Sequence, residues 1–178
     1  IPLKSVDEVY VIDGNSIDGT QAYYKKKKIL VYQQKIKGLG GATFEARTRC
    51  TTDAIIFFHP DGNENPADIA KVAEALRAGH QFVIPSRMIK EGYNEEDNQF
   101  FKPRKWFNRS LATFANIVWN KKNPYETEIV QGFRGISCEA YDKMKLDKAD
   151  CTIDFQMVIR AHKVGIPIYE FPTKEGER

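Results

Sequence analysis

Apolar residues along the chain fall into short runs separated by stretches of helical period. The runs at 8–12, 29–33, 54–58 and 82–85 predict strands, and the stretches between them are long enough for helices. Val9-Tyr10-Val11-Ile12 and Ile55-Ile56-Phe57-Phe58 are continuously apolar, as central strands covered on both faces require. A helix is predicted over 66–78, opened by Pro66, with Ile69, Val72, Ala73 and Leu76 on one face and Gly79 as its stop. Residues 88–104 are polar and without period, which predicts a mobile loop. Over 105–119, Trp106, Phe107, Leu111, Phe114, Ala115, Val118 and Trp119 form a broad helical face. A core face is its first reading. Contact with lipid headgroups is the second, given Lys102, Arg104, Lys105 and Arg109 nearby. After a turn at Asn123-Pro124 come a strand at 132–137, a helix at 139–143, a helix over 153–164 ended by Gly165, and a last strand at 168–171. Strand and helix alternate throughout, so the pattern predicts an α/β fold with a mainly parallel central sheet, in one domain over 1–178.

Composition narrows the class. The chain has 178 residues and is 42% hydrophobic, enough to bury a core without disulfide or metal staples. Disordered and disulfide-framed proteins are thereby excluded. Lys and Arg number 27 against 24 Asp and Glu, a net charge of +3 that is too small to point to a nucleic-acid partner. The lysines at 25–28 read as a solvated connection. No apolar run reaches the roughly 18 residues of a membrane span. Cys50, Cys138 and Cys151 are odd in number and far apart in sequence, which predicts unremarkable thiols, no zinc cluster and a reducing, cytoplasmic compartment. No signal-type leader is read at Ile1-Pro2.

Polar residues gather after two of the apolar runs, at the strand ends where open α/β sheets bind ligands. After the first, Asp13, Asn15, Ser16, Asp18, Gly19 and Thr20 offer carboxylates and hydroxyls to a ribose or a metal-bound phosphate. A turn that caps the next helix explains Asp18-Gly19-Thr20 equally well. Lys37-Gly38-Leu39-Gly40-Gly41-Ala42 leads into a helix, so its amides and lysine can face an anion, or its glycines can serve close packing. After the third run, Asp61 can bridge Mg2+ or Mn2+ to a diphosphate, with His59 as a second ligand or a hydrogen-bonded structural residue. Arg87, Arg134, Lys105 and Arg109 are candidate phosphate partners. Asp154 and Glu170 are candidate general bases, Asp154 alternatively stabilising a helix start.

Residues 11–20, 37–42 and 58–61 with Pro66, in that order, resemble family 2 glycosyltransferases of the GT-A fold. Pro85-Ser86-Arg87, residues 131–137 and residues 154–172 are similar to the dolichyl-phosphate mannose synthase branch and its bacterial relatives. The resemblance covers nearly the whole chain. It implies a Rossmann-like three-layer sandwich and inverting transfer from a nucleoside diphosphate sugar to an acceptor such as a polyprenyl phosphate, in cell-envelope or polysaccharide biosynthesis. By the same match the nucleotide sits at Asp13, Asn15, Ser16, Asp18, Lys37, Gly38 and Gly41, Asp61 holds the metal, and Arg87 and Arg134 lie near the diphosphate or acceptor phosphate. A lipid acceptor would bring the protein to the cytoplasmic face of a membrane. The family's Asp-x-Asp stands here as His59-Pro60-Asp61, within a Pro-Asp-Gly-Asn variant, and its first strand would lie upstream of Ile1. Without that strand two strand edges are expected to be open. Two other classes compete: a non-catalytic nucleotide-sugar binding module, favoured by His59, and a sugar nucleotidyltransferase, whose glycine-rich loop should follow the first strand rather than the second.

Overall fold

The structure is a computed structural model and describes residues 3–120 and 123–176. In chain order the elements are β1 (Tyr10–Asp13), α1 (Thr20–Lys26), β2 (Leu30–Gln33), α2 (Leu39–Arg49), β3 (Ala54–Phe57), α3 (Asp68–Arg77) and β4 (Phe82–Ser86). They continue with α4 (Pro103–Trp119), β5 (Arg134–Ser137), α5 (Cys138–Met144), α6 (Ile153–Val164) and β6 (Ile168–Pro172). Helix ends follow local chemistry. Pro103 opens α4, two residues earlier than the apolar period implied, and Gly165 ends α6 at φ 75°, a conformation that costs glycine little.

The expected α/β fold is present, but its strands form two sheets among the described residues. β1 and β2 pair in parallel, Tyr10 opposite Leu30 through Asp13 opposite Gln33. The other four strands run in the order β3-β5-β4-β6. There β4 and β6 are parallel, while β5 runs antiparallel to both β3 and β4. Side chains of β4 alternate between two cores, as a strand covered on both faces dictates. Phe82 and Ile84 face a cluster with Ile136 of β5, Ala112 and Ala115 of α4, Met144 of α5 and Met157 of α6. Val83 faces Ile69 and Val72 of α3, with Phe133. Helices on both faces of the four-stranded sheet give three layers. Gly135 allows the α3 side to close, because a Cβ there would lie 2.9 Å from Leu76 Cδ1.

Two expectations fail, each for a packing reason. Helix α4 buries its small and polar residues, Asn108, Ala112, Ala115 and Asn116. Asn116 Nδ2 donates to the carbonyls of Ala112 and Glu126 at 2.8 Å, and Asn108 Nδ2 donates to Glu128 at 2.5 Å. Of the predicted face, Ala115 is buried and Leu111 and Trp119 pack against the core, but the other bulky side chains face out, with Phe107 64% and Phe114 55% exposed. Nor is the segment before α4 an unanchored loop. Met88, Asn94 and Glu96 are buried. Asn94 and Asp97 cap a single 3-10 turn, Glu95–Asn98, and Glu96 accepts a 2.9 Å bond from the Lys105 amide.

Candidate active site

Between β1 and β3 lies a cleft of about 1370 Å3. Its lower wall is apolar, with Val9 and Val11 on one side and Ile55 and Ile56 on the other. Asp13, Ser16, Asp18, His59 and Asp154 gather in the same cleft, so residues from three separate parts of the chain meet there. The polar groups gathered at one end of the cleft suit a ligand, whereas the apolar part is bounded by two strand edges. Neither β1 nor β3 has a strand paired on its cleft side among the described residues.

The loop after β1 is held by its own carboxylates. Asp13 is buried and accepts bonds from the Ser16 amide at 2.9 Å and Gln21 Nε2 at 2.8 Å. Hydrogen bonding from Ser16, with help from Gln21, holds its carboxyl below the usual carboxylate range despite burial. Asn15 adopts φ 71°, in the left-handed region that asparagine tolerates better than most residues. Asp18 accepts from the Thr20 hydroxyl at 2.6 Å and the Thr20 amide at 3.0 Å, so the turn that starts α1 is present beside the exposed Ser16.

At the end of β3, Glu64 grips His59 twice, accepting from its amide at 2.7 Å and lying 3.0 Å from Nδ1. The bond to Glu64 raises the imidazole pKa against the effect of burial, and Asp154 and Asp61 add to the shift. A histidine tuned towards the cation is a poor metal ligand, which needs a neutral ring. The ring fits because residue 132 is glycine. A Cβ on Gly132 would lie 2.6 Å from His59 Nδ1. Asp61 is exposed, and its Oδ1 accepts the Asn63 amide at 3.1 Å. No group of three or more His, Cys, Asp or Glu among the described residues makes a ready metal cage.

Arg134 does not face the cleft. It is wholly buried, donates to the Asp154 carbonyl at 2.9 Å and to the Gln131 carbonyl, and lies 3.4 Å from Asp154 Oδ1. Burial lowers its pKa, opposed by Asp154 and Glu128. Its geometry fixes Asp154, which sits at the start of α6 in the cleft wall. Arg87 is likewise taken up inside, by Glu128 at 3.1 Å and Glu175 at 2.7 Å. Burial weighs against its charge, but the two carboxylates raise its pKa. A phosphate at either guanidinium would have to displace these internal partners. Glu170 is also engaged within the fold, accepting from the amides of Thr127 and Glu128 at 2.9 Å, which removes it as a base for the cleft.

The glycine-rich segment packs rather than opening to an anion. The amides of Gly40 and Gly41 donate to the carbonyls of Asp150 and Ala149 at 3.2 and 3.0 Å. A Cβ at Gly38 or Gly40 would strike backbone at 148–149, and one at Gly41 would strike the Ile36 carbonyl. Lys37 remains exposed. Glu128 and Glu175 gave no sequence signal because their partner Arg87 lies 41 and 88 residues away, whereas Glu64 stands five residues after His59 in the polar stretch that follows β3, and Gly132 stands before Phe133-Arg134.

A family model described as glycosyl transferase family 2 matches residues 3–145. The chain belongs to this family. Glycosyltransferase AglJ of Haloferax volcanii is 26% identical over 168 residues, covering 93% of this chain and 52% of that protein. The present family 2 chain thus spans about half the length of its curated relative. Among solved structures, glucosyl-3-phosphoglycerate synthase of Mycobacterium tuberculosis in complex with phosphoglyceric acid shares its fold at TM-score 0.70 and 15% identity, covering 97% of this chain and 61% of that one. The same synthase in complex with Mn2+, UDP and glucosyl-3-phosphoglycerate aligns at TM-score 0.69 and 16% identity, with coverage of 97% and 61%. These likenesses establish a GT-A type fold for the family 2 chain.

Proposed function

We propose that the cleft carries out inverting transfer of a sugar from a nucleoside diphosphate sugar to a phosphate-bearing lipid, a polyprenyl phosphate. The observation that supports it best is the meeting of Asp13, His59 and Asp154 in one cleft. Family 2 membership supplies the reaction class, and the UDP and Mn2+ held by a structural neighbour support the donor and the metal. In this reading the Asp13–Asp18 loop takes the nucleoside. Asp154, held by Arg134, faces and orients the donor sugar, because a phosphate acceptor is already an anionic nucleophile and needs no base. His59, not Arg87 or Arg134, supplies positive charge to the leaving diphosphate.

Mg2+ or Mn2+ fits the donor set at Asp61. One exposed carboxylate at a strand end suffices for an oxygen-seeking cation that takes its other ligands from the diphosphate and water. When bound, such a cation neutralises charge on the leaving group.

The lipid part of the proposal rests on α4. Trp106, Phe107, Phe114 and Ile117 are all more than half exposed, beside Phe101 at 63%. No helix among the described residues is long and apolar enough to cross a membrane, so the face would lie along an interface. The strand that the resemblance puts upstream of residue 1 is proposed to fill the apolar part of the cleft, between the open edges of β1 and β3, completing one domain.

The test is transfer of labelled sugar from UDP and GDP donors to polyprenyl phosphate in vesicles, with Mn2+ or EDTA. Metal-dependent glycolipid from one donor is the expected result, and Asp61→Ala should reduce it about 100-fold or more. Product formed only on a water-soluble phosphate would overturn the lipid acceptor. Unchanged turnover in Asp61→Ala would overturn the metal site.

A further inference from the structure

Cys50 and Cys138 stand 88 residues apart in sequence, yet their sulfurs are 3.6 Å apart. Both thiols point at one acceptor, the Thr52 carbonyl, at 3.5 Å from Cys50 Sγ and 3.3 Å from Cys138 Sγ. The backbones that carry them are already tied. The Cys138 amide donates to the Asp53 carbonyl at 2.8 Å, and Ala54 pairs with Ser137 at the β3–β5 ladder. Neither residue is fully buried, so a small oxidant can reach the pair. A disulfide needs its sulfurs at about 2.05 Å, so closure asks for a sulfur movement of roughly 1.5 Å. Side-chain rotation can supply a shift of that size.

We propose that Cys50 and Cys138 are a peroxide-oxidisable dithiol, closing to a reversible disulfide that ties the end of α2 to the start of α5. The oxidant is a hydroperoxide. Cys50–SH reacts with H2O2 to give Cys50–SOH and water, the thiol being oxidised and the peroxide reduced. The Cys138 sulfur then bonds to the Cys50 sulfur, and the sulfenic oxygen leaves as a second water with the thiol proton. Cys138 is the resolving partner because its sulfur lies 3.6 Å from Cys50 Sγ; burial, with Cys50 beside it, raises its thiol pKa, so it attacks through a small thiolate fraction and closure is slow. The bond would join the α2 wall of the cleft to the four-stranded sheet. Its position is independent of the transferase reading, and its test needs no sugar.

The experiment uses the chain with Cys151→Ser, which removes the exposed third thiol. After mild H2O2 treatment, non-reducing peptide mass spectrometry should find residues 50 and 138 in one linked peptide, with two thiols lost per chain and restored by dithiothreitol. Tm should rise by roughly 5 °C or more on oxidation, since the bond closes a long loop. Cys50→Ser and Cys138→Ser should each abolish that rise. If either variant fails to fold, the linked peptide in the Cys151→Ser chain decides alone. Free or separately over-oxidised sulfurs at 50 and 138, or only intermolecular disulfides, would overturn the proposal.

Discussion

The two walls of the cleft are built to different standards. On the β3 side, Phe82, Ile84 and Ile136 are fully buried in a sheet covered on both faces. On the β1 side, Leu30 of β2 is 52% exposed and α1 buries no residue at all. Helix α2 joins the two sides, through Gly40 and Gly41 on the carbonyls at 149–150, Arg47 on Asp142 at 2.6 Å, and Leu39 and Phe44 against the main core. A region with as little buried apolar surface as the β1 side opens at lower free energy than a packed core. The firm wall fixes His59 and Asp154, while the Asp13–Asp18 loop relies on bonds within itself and to α1. In the proposed reading, chemistry and ligand capture thus fall to elements of unequal stability.

The largest effect should separate those two duties. Asp154→Asn, on the firm wall, is expected to lower turnover about 100-fold through misplacement of the donor sugar while nucleotide affinity stays within about threefold. Asp13→Asn, on the looser wall, should do the reverse, weakening nucleotide binding first. Calorimetric titration of UDP and GDP beside single-turnover kinetics distinguishes them, and equal losses in both variants would erase the proposed division. Next, Phe82→Ala should destabilise the chain by about 3–5 kcal/mol, against under about 1 kcal/mol for Leu30→Ala, in urea unfolding.

A smaller effect concerns pH. Burial pushes the Glu170 carboxyl up to about 7, although the Thr127 and Glu128 amides oppose this. A raised folded-state pKa means that its contribution is fully present below the unfolded carboxylate value and is lost as pH rises through about 7. Between pH 5 and 8 the firm wall should lose on the order of 2–3 kcal/mol, and Glu170→Gln should flatten that slope. Asp13, whose pKa is lowered, works the other way, and its loop should weaken only as acid protonates it. Hydrogen exchange over β4–β6 at pH 5 and 8 checks the first direction, and exchange over β1–α1 below pH 4 against pH 5 checks the second.

What could be read from sequence depended on how local its cause was. β3 and β4 were legible because continuous apolar runs have few other solutions, and the loop after β1 because its polar cluster follows such a run directly. The facing of α4 was not legible. Its aromatic period marks a helix but not which side packs, and Asn108 and Asn116 turn inward only because Glu128 and Glu126 meet them there. Arg87 and Arg134 looked like phosphate ligands because Glu175 and Asp154, which engage them, are 88 and 20 residues away. The fold was given by short-range pattern, whereas the partners of each charge were set by topology.

That topology also orders events in time. Because β5 lies between β3 and β4, neither earlier strand has this neighbour until residue 134 has been synthesised. β4 must wait still longer for β6 at Ile168. During translation the apolar stretches of β3 and β4 would leave the ribosome long before anything can cover their edges, while β1, α1 and β2 are already complete in a local unit. Folding of the larger sheet is therefore a late, slow closure of distant contacts, and the nascent chain is the form most dependent on chaperones.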